Sequence, residues 1–235
     1  MRHVGLTMRV VRSPEYPEDR DALAQDWARF LGAAIPDCRW MGLPNLGGQA
    51  AAHARAWAID ALVFTGGNDL GEAPVRDATE EALLRFALDA GIPVFGVCRG
   101  LQFFQSFHGG PVVPCPRDAH VATRHPVDFG PGVPGPAARV VNSYHARGVR
   151  RESLARPLAP FATTPDGWVE GLRHREAPLT AIQWHPERGE SADPSDVALF
   201  RESLGLSPLR EAASLAEADS CESFLTPFTF PPCVR

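Results

Sequence analysis

The chain contains no lysine: all 23 of its basic residues are arginine. That removes a Walker-A lysine, a Schiff-base lysine and any serine–lysine mechanism. Cysteine is sparse as well. The five, Cys38, Cys98, Cys115, Cys221 and Cys233, are odd in number, widely spaced and without a C-x-x-C pair. This fits a reducing, cytoplasmic setting better than a disulfide framework or a zinc centre. Apolar runs fall short of a membrane span, and the N-terminal segment lacks a signal-peptide pattern. With a net charge of −5 and no basic stretch interleaved with aromatics, neither a membrane nor a nucleic acid is an expected partner. What remains is a chain of 235 residues, long enough for one sizeable core.

The first half alternates short apolar runs with helical patterns. Strand character covers Val4 to Val11, Ala61 to Thr65 and Ile92 to Val97, and Arg39 to Leu43 is a short apolar run before Pro44. Helices are predicted over Asp19–Leu31, Gln49–Ile59, Thr79–Ala90, with Thr79 as its cap and Gly91 closing it, and Leu101–Phe107. The alternation predicts an α/β fold: a flavodoxin-like three-layer sandwich around a mostly parallel sheet. Beyond Gly109-Gly110 proline, glycine and histidine dominate up to Pro136. Shorter strands are then expected at Ala138–Asn142, Leu158–Thr163, Trp168–Leu172 and Thr180–Trp184, with a turn at Pro165-Asp166-Gly167 and a last helix over Asp196–Leu204. Residues 1–204 form the expected catalytic domain. Residues 205–235 form a tail, either docked through Phe224, Phe228 and Phe230 or disordered.

Cys98 lies in Gly96-Val97-Cys98-Arg99-Gly100, directly after an apolar strand. A nucleophile flanked by glycines at i−2 and i+2 reads as a nucleophile elbow, a tight turn that raises the thiol above the sheet and aims the next helix's N-terminus at it. Taken alone, a cysteine after a strand is most often an inert core residue. His185, at the end of another strand, supplies a base, and Glu187 two residues on reaches the same face and orients the imidazole. An oxyanion site follows from the Arg99 N–H and from Gly67 in the Gly66-Gly67 turn. Both strand ends belong to the crevice where such sheets place their sites.

These residues resemble the class I glutamine amidotransferase-like proteins with their Cys-His-Glu triad. The matching pieces are Thr65-Gly66-Gly67-Asn68-Asp69, Gly96 to Gln102, Val141-Asn142-Ser143-Tyr144-His145 and Gln183-Trp184-His185-Pro186-Glu187. They span roughly residues 4 to 204. C-R-G-x-Q with N-S-x-H and W-H-P-E is similar to the γ-glutamyl hydrolase branch, the peptidase C26 type, and Arg76-Asp77 with Glu80 or Glu81 fits its R-D-x-x-E pattern. Arg9-Val10-Val11, Tyr16, Arg20 to Leu23, Asp26-Trp27, Leu43-Pro44-Asn45 and G-G-N-D-L bring the chain nearer to γ-glutamyl-CDP-amidate hydrolases within that branch. It departs from the γ-glutamyl-γ-aminobutyrate hydrolases at Asn68-Asp69-Leu70-Gly71, where those carry a longer D-x-x-P-x-x-Y-G segment.

The resemblance implies a hydrolase that cuts a γ-glutamyl amide or phosphoramidate bond through a γ-glutamyl thioester on Cys98. It implies glutamyl contacts from Gly66, Asn68, Gln102, Asn142, Ser143, Tyr144 and His145. A γ-glutamyl-γ-aminobutyrate-type hydrolase, a glutaminase subunit feeding ammonia to a separate synthase, and a non-catalytic relative are the alternatives. The expected partner is a small γ-glutamyl substrate; a homodimer and a synthase partner stay open. No cofactor or metal is expected, because His120, His125 and Cys115 match no common ligand spacing. Arg147, Arg150 and Arg151 either meet a phosphate of the leaving group or form a solvated charged face.

Overall fold

The computed structural model describes residues 1–209. In chain order the elements are β1 (His3–Thr7), β2 (Arg9–Arg12), β3 (Asp19–Ala22), α1 (Asp26–Ala34), β4 (Arg39–Leu43), α2 (Ala50–Ala56), β5 (Ala61–Phe64), α3 (Pro74–Ala90), β6 (Val94–Val97) and α4 (Arg99–Phe107). There follow β7 (Val113–Pro114), α5 (Arg117–His120), β8 (Val121–Phe129), β9 (Ala138–Tyr144), β10 (Arg147–Gly148), β11 (Leu158–Thr163), β12 (Val169–His174), β13 (Leu179–Ile182) and α6 (Pro194–Ser203). One nine-stranded sheet has the order β4-β1-β5-β6-β13-β12-β11-β8-β9. Its first five strands run parallel, and the other four continue it antiparallel.

The period of two along the strands builds the layers. In β5, Ala61 and Val63 join the cluster that holds Trp27, Phe30 and Leu31 of α1 and Leu199 and Phe200 of α6. Leu62 and Phe64 point the other way, into Ala54 of α2, Leu83 and Leu84 of α3, and Leu101 and Phe104 of α4. The rings of Phe30 and Phe95 meet Phe200 edge-on at 5.3 and 5.0 Å, an arrangement worth about 0.5–1.5 kcal/mol per pair beyond area burial. This is the expected flavodoxin-like three-layer α/β sandwich, with the short C-terminal strands as an antiparallel extension of its sheet.

Several local expectations need correction. Asp19–Ala22 is not the start of a helix; it pairs antiparallel with Arg9–Arg12, and Arg12 meets Asp19 across the hairpin at 2.9 Å. The apolar face Leu23-Trp27-Phe30-Leu31 is real, but the helix begins only at Asp26. Met8 likewise divides the single strand expected from Val4 to Val11. Thr79 does not cap a helix. Pro74 opens α3 a turn and a half earlier, where its missing N–H costs nothing, and Thr79 accepts the Gly47 N–H at 2.8 Å. Gly91 does close α3, at φ +63°. Finally, β8 runs through the proline- and histidine-rich stretch and pairs with β9 from Val121 to Asp128. Residues 205–209 follow α6, and the expectation for the tail from 210 onward lies outside the described residues.

Candidate active site

Cys98 is where the chain leaves β6 and enters α4. Its φ of +53° and ψ of −99° are values an L-residue adopts only when its surroundings force them. The forcing groups are identifiable. The Cys98 N–H donates to the Ile182 carbonyl of the adjacent strand at 2.8 Å. A Cβ on Gly96 would stand 2.6 Å from the Phe104 ring, and one on Gly100 would stand 2.6 Å from the Phe64 carbonyl oxygen. Only glycine fits either position, so the elbow follows from backbone crowding. The Arg99 N–H is the first of α4; it has no acceptor within the helix and lies at the positive end of its dipole.

The segment after β13 carries His185, and four elements grip it. The Gln183 N–H donates to the Glu170 carbonyl of β12 at 2.7 Å. The Trp184 indole N–H donates to the Asp196 carboxylate of α6 at 3.2 and 3.3 Å. Asn142 of β9 bonds the main chain of His185, and Arg29 of α1 donates to the carbonyls of Glu187 and Gly189 at 3.3 and 3.1 Å. His185 Nδ1 lies 2.7 Å from Glu187 Oε1, so this nitrogen donates and the other, Nε2, is left to face away from the carboxylate. Both side chains are buried. Burial works against a charge on His185, but the Cys98 sulfur and the Glu187 carboxylate outweigh it and raise the imidazole to about 9. A Cβ on Gly66 would lie 2.8 Å from His185 Cε1 and 3.6 Å from Cys98 Cβ. The turn, the thiol and the imidazole thus converge on one point.

The Thr65–Gly67 turn is held from beneath by Arg76, whose side chain is fully buried. Its guanidinium donates to the carbonyls of Thr65 at 2.7 Å, Gly66 at 3.1 Å and Gly67. The Thr65 N–H donates to Thr7 Oγ1 at 3.1 Å, and Gly67 adopts φ +84°. Arg76 Nε is in turn paired with Glu80 at 3.0 Å, and Arg99 pairs with both Glu80 and Asp77. The R-D-x-x-E run and the arginine after Cys98 are therefore one ionic network that joins the turn to the elbow. Glu81 takes no part; it pairs with Arg85 on the surface.

Residues 38–187 match the peptidase C26 family over most of the domain. The chain belongs to that family. A γ-glutamyl-CDP-amidate hydrolase from Campylobacter jejuni is 27% identical over 191 residues, covering 79% of this chain and 90% of the relative. Anthranilate synthase component 2 from Azospirillum brasilense is 35% identical over 113 residues, covering 46% of this chain and 57% of that protein. In fold, this C26 protein is similar to a glutamine amidotransferase from Thermotoga maritima. That match has a TM-score of 0.58 at 14% identity and covers 86% of this chain and 81% of the other. The C26 chain is a glutamine-amidotransferase-like hydrolase.

The remaining expected site residues separate into two places. Tyr144 sits at the crevice, its ring 5.8 Å and edge-on from that of His185, with the Arg188 guanidinium 4.4 Å above it. Asn68 uses its amide on both the N–H and the carbonyl of Val10 in β2, at 2.8 and 3.0 Å, and so ties the hairpin to the turn. Asn142 uses its amide on His185. Gln102 donates to the Arg147 carbonyl at 2.7 Å, and the same carbonyl receives His145 Nδ1 at 2.9 Å. Ser143 is fully buried and donates to the His120 carbonyl at 2.7 Å. Ser143 and His145 belong to a buried cluster that also holds His120, His125 and Glu170. Of the basic cluster, Arg147 donates to the Val112 carbonyl, and Arg150 lies over Trp168 and pairs with Glu152. Burial pushes the Cys115 thiol up to about 12, which suits an inert thiol.

Arg9 and Arg188 carry no motif role in the sequence. Both line the crevice over the Gly66-Gly67 turn, beside His185 and Glu187. Arg188 directly follows the W-H-P-E run. Arg9 starts a hairpin whose apolar residues continue the pattern of β1, and that continuity hides its position. Among the described residues, no helix is long and apolar enough to cross a membrane.

Proposed function

We propose that this chain hydrolyses a γ-glutamyl amide or phosphoramidate, with Cys98 as nucleophile, His185 as its proton partner and Glu187 as the group that orients and charges His185. The observation that carries this reading is the pairing of a forced elbow at Cys98 with an imidazole raised to about 9 by the Cys98 sulfur and Glu187. A histidine that binds its proton so tightly beside a thiol favours the thiolate–imidazolium pair, the reactive form of a cysteine nucleophile.

The thiolate adds to the γ-carbonyl carbon, and the carbonyl oxygen becomes an oxyanion. The N–H groups of Arg99 and Gly67 receive that charge, one from the helix end and one from the turn that Arg76 fixes. Collapse breaks the carbon–nitrogen bond as imidazolium His185 gives its proton to the leaving nitrogen. The neutral imidazole next takes a proton from water, whose oxygen attacks the thioester. Collapse of this second adduct returns the Cys98 thiolate and releases glutamate. Arg9 and Arg188 suit the carboxylate of the glutamyl group or a phosphate on the leaving side, because guanidinium groups bind both in a bidentate way.

The best specific substrate is of the γ-glutamyl-CDP-amidate type. The supporting facts are the relative of that name, which this chain matches over 90% of its length, and the two arginines at the crevice. The match to a component of anthranilate synthase favours a second reading, ammonia delivery to a synthase. Glutamate release by the purified chain alone, compared across glutamine, γ-glutamyl-γ-aminobutyrate and γ-glutamyl-CDP-amidate, decides between them. Turnover of the phosphoramidate without a partner is the expected result. Activity on glutamine that appears only when a synthase is added would overturn the hydrolase reading.

A further inference from the structure

Behind β9, four buried side chains gather that the proposed reaction does not use. They are His120 at the end of α5, His125 in β8, His145 just after β9, and Glu170 in β12. One nitrogen or oxygen from each lies within 4.8 Å of all the others. None of the four side chains is more than a tenth exposed.

The hydrogen bonds around them fix which atoms face inward. His145 Nδ1 lies 2.9 Å from the Arg147 carbonyl, and His125 Nδ1 lies 3.2 Å from the Ala119 carbonyl. A carbonyl only accepts, so both Nδ1 atoms carry hydrogen, and in the neutral rings both Nε2 atoms present lone pairs. Those lone pairs face an acceptor: His125 Nε2 is 3.4 Å from Glu170 Oε2, and His145 Nε2 is 3.5 Å from Glu170 Oε1. Both Nε2 atoms, both Glu170 oxygens and His120 Nδ1 are buried without a hydrogen-bond partner. Acceptors turned on one another in a dry interior repel and stay desolvated unless positive charge lies among them, either a proton taken up by one ring or a bound cation; a cation can satisfy all of the lone pairs at once.

We propose that His120, His125, His145 and Glu170 bind one divalent transition-metal ion, zinc first by donor chemistry. Three imidazoles and one carboxylate suit zinc and its first-row neighbours rather than magnesium or calcium, which take oxygen ligands. Metal–ligand bonds of about 2.0–2.1 Å in a tetrahedron set ligand-to-ligand edges of about 3.3 Å. The two edges at 3.4 and 3.5 Å are already near that value. The carbonyls on the two Nδ1–H groups are the outer partners that orient metal-bound histidines. Four protein ligands, all buried, make a closed site, so its role is structural.

That role has a clear mechanical consequence. The ion joins α5, β8, β12 and the end of β9. Strand β9 also carries Asn142 and Tyr144, which meet His185. The sequence brings His120 and His125 into view but pairs them with Cys115; His145 and Glu170 come from separate elements further along the chain, which the spacing does not join to them.

The test uses the full chain stripped with a chelator, with its fold checked by circular dichroism, then titrated with Co²⁺ and separately with Zn²⁺. Saturation at one equivalent per chain is expected, with the visible absorption of tetrahedral Co²⁺ and a higher melting midpoint with Zn²⁺. Glu170→Gln and His125→Gln lose the cobalt band, and Cys98→Ser keeps it. If those two variants do not fold, X-ray absorption at the zinc edge of the wild-type chain decides: a shell of nitrogen and oxygen alone supports the site. Failure of the folded chain to bind either ion, a sulfur ligand, a band retained in Glu170→Gln or a band lost in Cys98→Ser would each overturn the proposal.

Discussion

Asn142 holds the main chain of His185 from both sides. Its Oδ1 accepts the His185 N–H at 2.9 Å, and its Nδ2 donates to the His185 carbonyl at 2.8 Å. Both ends of the amide are engaged on His185, which is the geometry of a residue that places the imidazole. Asn142→Asp keeps the first bond and turns an acceptor onto the His185 carbonyl. Steady-state kinetics on a γ-glutamyl substrate are expected to show kcat lower by about 100-fold, the scale of a misplacement near 1 Å, with KM little changed. A loss confined to KM would return Asn142 to the role of a glutamyl contact.

The charge on His185 sets a pH dependence. Its folded-state value is raised, from 6.5 to about 9, against the effect of burial, by the Cys98 sulfur and Glu187. The resulting stability is fully present below about pH 6.5 and is lost as pH rises through about 9, on the order of 3 kcal/mol in all. Denaturation midpoints taken between about pH 6 and 10 are expected to fall along this limb. Glu187→Gln removes one of the two raising charges, so the limb and the imidazole titration followed by NMR both move to lower pH. An unmoved titration would mean that Glu187 does not charge His185.

Gly66 is the point where the turn meets the imidazole. A methyl group there stands 2.8 Å from His185 Cε1, closer than carbon atoms tolerate, and the ring is what must move. Gly66→Ala is expected to lower kcat by about 10- to 100-fold while the chain stays folded. The His185 imidazole titration followed by NMR is expected to move to lower pH as the ion pair loosens. Wild-type kinetics in Gly66→Ala would contradict the close packing of turn, thiol and imidazole.

Arg76 joins stability to function. Replacing it with Met leaves Glu80 buried with Arg99 alone and frees the carbonyls of Thr65, Gly66 and Gly67. Breaking a buried ion pair on one side costs about 3–5 kcal/mol. Urea unfolding is expected to show a loss of that size, and in whatever folded fraction remains, kcat falls further than KM rises. A change under about 1 kcal/mol, the scale of an exposed pair, would mean that the fold does not depend on this network.

The elbow is legible in the sequence because Gly96, Cys98 and Gly100 lie in one pentapeptide after an apolar run, although the groups that crowd them, Phe64, Phe104 and Ile182, come from elsewhere in the chain. The parallel half of the sheet is legible for the same reason, through buried runs such as Ala61–Phe64. The Arg9–Arg12 hairpin is not. Its partner strand Asp19–Ala22 is charged, and it is stabilised by cross-strand pairing rather than by a buried face. The roles of Arg76, Asn142 and Arg29 are also hidden, since each is defined by a backbone group from a distant segment. N-S-x-H is visible as a motif, but Asn142, Ser143, Tyr144 and His145 alternate in direction along and beyond β9, and only Tyr144 opens onto the crevice.

The central claim is that Cys98 carries the γ-glutamyl group. Intact-protein mass spectrometry after rapid acid quench, during turnover of γ-glutamyl-CDP-amidate, tests it most directly. The predicted result is a species heavier by one γ-glutamyl group, mapped to the peptide containing Cys98, absent from Cys98→Ser and cleared by hydroxylamine. Glutamate release that proceeds undiminished in Cys98→Ser would contradict it.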